Sequence, residues 1–310
     1  GWGGGWEAGL ECPSMPRVIP LDDPDDPRLA DYLNQRDAHL RARHLAPDAP
    51  DATGTGMPGG LFMAEGRLVL SRLVRASRTG RPTYGVRSLL VRPETLPQIE
   101  EDLALLDEGV PVYTADRRIM NRIVGFDIHR GILAVGEVRR PPAVDELLAS
   151  ARTIVALEDS ANHDNVGSIF RSCSCLAHDP PERPAAVLLS PRSCDPLYRK
   201  SLRVSMGHAL EVPFATLEPW PDGLENVRRA GFEVVGLTPA EGAESLDVIA
   251  AEPPRRRCLL LGAEGPGLTP AALARADRRV TIPMRPGADS LNLAVSAAIA
   301  LHRLGPGGVG

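Results

Sequence analysis

The sequence predicts an α/β protein of two units, a small one followed by a larger one built on a mainly parallel sheet. Three observations carry this. Short apolar runs of strand character alternate with helical patterns from Leu61 to Leu304, the order that helical crossovers on a sheet produce. Arg139-Arg140-Pro141-Pro142 punctuates that alternation midway. A chain of 310 residues with 43% hydrophobic content can bury two cores.

Residues 1–27 read as a leader or disordered segment, in which Met15 starts the more credible sequence and Asp22 to Pro27 is rich in Asp and Pro. Residues 28–60 open with a helical pattern at Arg28 that sets Leu29, Tyr32, Leu33 and Leu40 on one side and ends before Pro47. A flexible Gly/Pro/Asp linker then runs from Ala46 to Gly60. Residues 61–140 give helices at Gly66 to Ser77, Glu94 to Asp107 and Asp116 to Ile123, and strands at Val86 to Val91, Val110 to Tyr113 and Ile132 to Val138. Residues 141–310 start with a short helix at Val144 to Ser150. Strands follow at Thr153 to Leu157, Ala186 to Leu189, Glu233 to Leu237, Arg257 to Leu261 and Arg279 to Ile282, separated by helical patterns as a parallel sheet requires. The final helix spans about Leu291 to Leu304 and stops at Gly305-Pro306-Gly307-Gly308.

The formal charge of −5 argues against nucleic-acid binding by bulk charge, and leaves room for a local basic face. Of the 35 basic residues only Lys200 is a lysine, so nearly all positive charge sits on guanidinium groups, which fork onto phosphates; a GC-rich genome is the preferred account of this. Five unpaired cysteines, Cys12, Cys173, Cys175, Cys194 and Cys258, predict a reduced cytoplasmic chain without structural zinc. No run of about eighteen apolar residues predicts a membrane span.

Three clusters sit just past predicted strand ends, where open α/β sheets bind ligands. The loop from Glu158 to Arg171 enters a helix, with Asn165 placed near its N-cap and Arg171 nearly two turns on. The turn Gly262-Ala263-Glu264-Gly265-Pro266-Gly267 matches neither G-x-G-x-x-G nor a P-loop. It offers closely approaching backbone and one carboxylate, Glu264. The stretch Ile282-Pro283-Met284 to Ser296 places Ser290 to cap an alanine-rich last helix. Taken alone, the first cluster is better read as a capped helix with a surface arginine, the second as readily as a plain strand-to-helix turn as a site, and the third as a well-capped, alanine-rich core helix.

Together, and in this order, the clusters resemble the three motifs of the SpoU (TrmH-like) RNA methyltransferases of the SPOUT superfamily: Asn165 with Arg171, Gly262-Ala263-Glu264-Gly265, then Ile282-Pro283-Met284 with Ser290-Leu291-Asn292. Arg203-Val204-Ser205-Met206-Gly207 resembles the family's Arg-x-Ser-x-Gly stretch. Phe62-Met63-Ala64-Glu65-Gly66 and His129-Arg130-Gly131-Ile132 resemble its amino-terminal substrate-binding module, of ribosomal protein L30e type. The segment His178 to Pro184 departs from the pattern, being Pro-rich where relatives have a short turn.

The resemblance implies methyl transfer from S-adenosylmethionine to a ribose 2′-hydroxyl, in a carboxy-terminal half tied in a trefoil knot. It places the cofactor against Leu237, Thr238, Gly262, Ala263, Glu264, Ile282, Pro283, Met284 and Leu291. It makes Arg171 the central catalytic residue, with Asn165, Glu264, Ser290 and Asn292 around it, and implies no metal. The partners it implies are a second copy of the chain and an RNA, ribosomal in preference to transfer RNA because the L30e-like module occurs in ribosomal RNA enzymes. Arg192, Arg199, Lys200 and Arg203, set against the single acid Asp195 between Ser190 and Leu210, are the candidate RNA contacts. Arg72, Arg75, Arg78 and Arg81 follow helical spacing and are read as phosphate contacts or a solvated face. A nucleotide-cofactor enzyme of another class and a knotted RNA-binding scaffold without catalysis are the alternatives.

Overall fold

The computed structural model describes residues 16–33, 37, 40, 60–79, 83–124, 131–177, 185–285, 287 and 290–304. Residues 1–15 of the segment expected to be leader or disordered, most of the helix and linker of 28–60, Arg81, His129-Arg130, the segment His178 to Pro184 and the glycine-rich tail lie outside the described residues; residues 16–27 are instead built into the fold, where Val18–Pro20 pair as a strand with Val112–Thr114 and Leu21 is buried. Of the helix expected from Arg28, the described part holds a 3₁₀ turn, Pro27–Leu29, with Asp26 as its cap.

The first unit is a five-stranded mixed sheet of β1 (Val18–Pro20), β2 (Leu61–Glu65), β3 (Tyr84–Val91), β4 (Val112–Thr114) and β5 (Ile132–Val138), in the order β1-β4-β3-β5-β2. Residue alternation along the strands splits its two buried faces. Phe62, Ala64, Leu89 and Ala134 face α1 (Arg67–Ser77), which buries Val69, Leu70, Leu73 and Val74, while Met63, Leu90, Leu133 and Val135 face α3 (Arg117–Val124). The helix expected over Glu94 to Asp107 is instead a 3₁₀ stretch, Pro93–Ile99, and one α-helical turn, α2 (Glu100–Leu103). Pro97 within it has no N–H to give an α-helical ladder.

The second unit is an all-parallel sheet of seven strands: β6 (Thr153–Leu157), β7 (Ala186–Leu189), β8 (Phe214–Thr216), β9 (Glu233–Leu237), β10 (Glu244–Ser245), β11 (Arg257–Leu261) and β12 (Arg278–Thr281). Their order is β10-β12-β9-β11-β6-β7-β8. Strands β6, β7 and β11 are buried along their whole length and, apart from Thr153 and Arg257 at their starts, read as apolar runs because both faces are covered. One face carries α5 (His163–Leu176) and α10 (Leu293–Leu304); the other carries α4 (Val144–Ser150), α7 (Leu224–Arg229) and α9 (Pro270–Leu273). Two further helices, α6 (Arg199–Val204) and α8 (Leu246–Ala250), complete the unit. After β12, α10 packs on α5.

The two units share one continuous buried cluster, with β2 packed on α6. No helix among the described residues is long and apolar enough to cross a membrane. No group of three or more metal-ligating side chains is found among them. Cys173, Cys175, Cys194 and Cys258 are free.

Candidate active site

In a parallel sheet every strand points its carboxy end the same way, so the loops after β6, β9, β11 and β12 gather at one edge. The turn after β11 folds back so tightly that a Cβ on Gly262 would lie 2.1 Å from the Gly267 carbonyl carbon. Gly265 and Gly267 hold left-handed φ values of 88° and 71°, and Gly267 N–H donates to the Ala263 carbonyl at 3.0 Å. Only glycine fits these positions without strain. The far end of the turn is tied to the sheet by Glu158, 2% exposed, which accepts from Thr269 N and Thr269 Oγ1, both at 2.8 Å, and from Trp220 Nε1 at 2.9 Å.

Glu264 crowns this turn and meets three asparagines. Asn292 Nδ2 donates to Glu264 Oε1 at 2.8 Å and Asn162 Nδ2 to Oε2 at 3.2 Å. Asn292 Nδ2 also donates to Asn165 Oδ1 at 3.0 Å. The amides of Asn165, Asn162 and Asn292 hold the Glu264 carboxyl below the usual carboxylate range. Asn165 contributes without a completed bond. Its Nδ2 is buried and has no partner in hydrogen-bonding geometry.

Two capping assignments made from the sequence are corrected. The N-cap of α5 is Asn162, whose Oδ1 accepts from Asp164 N at 2.9 Å, and Asn165 lies inside the first turn, 4% exposed. The cap of α10 is Asn292, whose Oδ1 accepts from Ala294 N at 2.9 Å and Val295 N at 3.3 Å, not Ser290. The helix starts at Leu293, so the capping position falls on Asn292 and leaves Ser290 in the wall of the adjoining cavity. Asn162 is the site residue that sequence reasoning missed, although a cap-forming residue directly before the helix was there as a signal.

Beside Glu264 opens a cavity of about 640 Å³. Leu237, Thr238, Gly262, Ala263, Glu264, Ile282, Met284 and Leu291 line it, together with Ser290 and Asn292; Pro283 does not. Asn165 stands behind Asn292, outside the lining.

Arg171 is not brought to this cluster. Six residues on an α-helix turn through about 600°, which puts Arg171 roughly 120° around α5 from Asn165. It is exposed, and its charge is felt instead by His208, whose pKa lies below the usual value through burial, Arg72, and to a smaller extent Arg171, against the opposing pull of Glu211. The side chains that hold Glu264 are asparagines.

The four candidate RNA-contacting cations all face acids from other segments. Arg192 pairs with Asp159, Lys200 with Asp164 at 2.7 Å, and Arg199 and Arg203 lie 3.7 and 3.6 Å from the buried Glu65. Arg192, Lys200 and Arg203 remain exposed side chains. Arg72 is not on a solvated face; it reaches the second unit, with Nη1 donating to the Met206 carbonyl at 2.8 Å.

A parallel sheet with a cavity at its strand carboxy ends, walled by main chain and apolar side chains and carrying one carboxylate, defines an α/β enzyme that holds a small organic cofactor. Residues 152–302 match the SpoU rRNA Methylase family. An uncharacterized tRNA/rRNA methyltransferase of Mycobacterium tuberculosis is 41% identical over 293 residues, covering 92% of this chain and 93% of that protein. The 23S rRNA (guanosine(2553)-2'-O)-methyltransferase RlmP of Bacillus subtilis is 26% identical over 71% of this chain and 80% of its own. The fold is shared with the AdoMet-bound rRNA methyltransferase from Sinorhizobium meliloti, at TM-score 0.66 and 23% identity over 93% of this chain and 97% of that one. The chain belongs to the SpoU family of RNA methyltransferases.

Proposed function

We propose that this protein transfers the methyl group of S-adenosylmethionine to a ribose 2′-hydroxyl of ribosomal RNA, acting in the cytoplasm as a homodimer. The observation that carries this reading is the cavity: its volume falls within the range of about 300–1,000 Å³ usual for small-molecule sites, and its lining comes from the loop after β9 and from two of the three SpoU motif stretches, those of Glu264 and of Met284 with Asn292. The residues fit the cofactor. Leu237-Thr238 and Gly262-Ala263 wall the space for a purine edge, and Ile282, Met284 and Leu291 offer apolar surface.

The cofactor supplies an electrophilic methyl on a sulfonium centre. Glu264, kept anionic by its asparagines, favours a cationic ligand at the cavity rim. Asn292 and Asn162 fix the rotamer of that carboxylate, and Ser290 and Asn292 wall the same space. Arg171 clamps an RNA phosphate and stabilises the developing alkoxide, while phosphate or water accepts the proton. A guanidinium with a pKa above about 12 is a poor base. Because Arg171 lies outside the cavity lining, this reading has a second copy complete the site. The exposed Met284, Leu291 and Val295 beside the cavity and on α10 give that copy an apolar face.

Residues 61–140 serve as the RNA-binding unit, 141–310 as the methyltransferase unit, and Arg192, Arg199, Lys200 and Arg203 as contacts at the edge of the latter. The relative RlmP, a 23S rRNA enzyme by name, supports ribosomal over transfer RNA. The test is mass-spectrometric mapping of ribose methylation in total RNA from cells with and without the gene. Loss of one 2′-O-methyl in ribosomal RNA is expected. A loss in transfer RNA moves the substrate, and no loss anywhere overturns the reading.

A further inference from the structure

The segment from Met206 to Glu211 stands between the two units. Both α1 of the first unit and α5 of the second pack against its turn His208–Leu210. Gly207, at a φ of 84°, lets this turn approach α1 so closely that a Cβ there would lie 3.1 Å from both Val69 Cα and Arg72 Cδ.

Across the joint Arg72 makes two hydrogen bonds and an ion pair, its buried Nε lacking a partner in hydrogen-bonding geometry. Besides the Met206 carbonyl, its Nη2 lies 3.0 Å from His208 Nε2 and its Nε 3.1 Å from Glu211 Oε1, and Glu211 Oε2 lies 2.9 Å from His208 Nδ1. A guanidinium has donors only, so His208 Nε2 must be the acceptor and Nδ1 must carry the proton that goes to Glu211. The geometry therefore fixes both the neutral state and the tautomer of His208. Three charged groups surround the ring: Arg72 from α1, Arg171 from α5 and Glu211 from the turn's own end.

We propose that Arg72 and His208 are positioning residues for methyl transfer. Together they lock the turn on which α5 rests, so that docking of the first unit sets the place of Arg171. This rests on the role given to Arg171 above. It assigns the first unit a part in the chemistry beyond holding RNA. Protonated His208 cannot accept from Arg72, and it adds a third positive charge beside Arg72 and Arg171. The folded pKa is lowered from the ordinary 6.5, so the undocked state binds more protons. The joint is complete above about pH 6.5 and is lost as the pH falls through the lowered value.

The experiment uses the full chain, labelled S-adenosylmethionine and bulk RNA from cells lacking the gene. Arg72→Met is expected to lower kcat at pH 8 by about tenfold or more, with the KM and Kd for S-adenosylmethionine within about twofold of the parent. His208→Leu should lose as much. His208→Gln, which offers an acceptor and a donor without titrating, should recover most of that loss and hold its rate further into acid than the parent. Full kcat in Arg72→Met, or an unchanged acid limb in His208→Gln, overturns the proposal. Should Arg72→Met fail to bind S-adenosylmethionine and so be misfolded, the two His208 variants decide. Arg171→Ala, measured alongside, separates the two levels. If it is inactive while Arg72→Met is fully active, the joint alone is refuted; if it is active, the role of Arg171 falls.

Discussion

Asn292 does two jobs with one amide, and a pair of substitutions separates them. Its Oδ1 caps α10 and its Nδ2 ties Asn165 and Glu264 together. In Asn292→Ala the lost cap costs about 1 kcal/mol. Leaving the buried Oδ1 of Asn165 without a donor costs about 1–3 kcal/mol more. The sum of about 2–4 kcal/mol should lower the Tm of the second unit by roughly 5–12 °C in scanning calorimetry. Asn292→Asp keeps an oxygen for the cap and adds an acid at the helix start, where the dipole favours it. It has no Nδ2, and it sets a carboxylate against Glu264. The expected result is a Tm nearer the parent for Asp than for Ala, with S-adenosylmethionine affinity by titration calorimetry down about tenfold or more in both. An unchanged Tm in Asn292→Ala, or parental affinity in Asn292→Asp, would refute the reasoning.

Gly262→Ala drives a Cβ into the main chain of Gly267 and Leu268 at 2.1–2.4 Å; the turn must open, and cofactor binding by titration calorimetry should fall below detection. Glu158→Gln turns an amide NH₂ toward Thr269 or Trp220, leaving a buried donor unpaired. Urea unfolding should show a loss of about 1–3 kcal/mol, and cofactor affinity should drop with it. Arg171→Lys keeps the charge but loses the two-pronged phosphate clamp. Its turnover should fall roughly a hundredfold with cofactor affinity unchanged, and near-normal turnover would count against clamping.

The strands that the sequence made legible are those buried on both faces. Thr153–Leu157, Ala186–Leu189 and Arg257–Leu261 are apolar after their first residue or throughout, and their bounds agree with expectation. Strands β1, β8 and β10 escaped because they have two or three residues and lie at sheet edges, too short for any period to show, and β2 escaped although all five of its residues are buried, since a short buried run shows no alternation. The cavity lining was legible because main chain at strand ends serves a ligand whatever the side chains, and the glycines mark where that main chain turns. The caps were misplaced by two or three residues, the ordinary uncertainty of a helix start, and that moved Asn162 out of view and Ser290 into it. Arg72 was illegible for another reason. Its helical spacing marks an outward face correctly, but what covers that face is a turn 134 residues away in sequence, and local pattern says nothing of contacts at that distance.

The order in which the cavity walls appear along the chain has a consequence for synthesis. Leu237 to Ala240 come first, then Leu261 to Leu268, then Val280 to Met284, and the last wall is made by residues 290–296 at the start of α10. Glu264 finds one of its partners, Asn162, about a hundred residues earlier, and the other, Asn292, only when the final helix begins to form. A nascent chain that has emerged as far as β12 therefore possesses nearly the whole parallel sheet and no closed cavity. Ribosome-bound intermediates of increasing length should stay unable to retain the cofactor until α10 has left the exit tunnel. Binding competence then arises late and in one step, when α10 docks on α5.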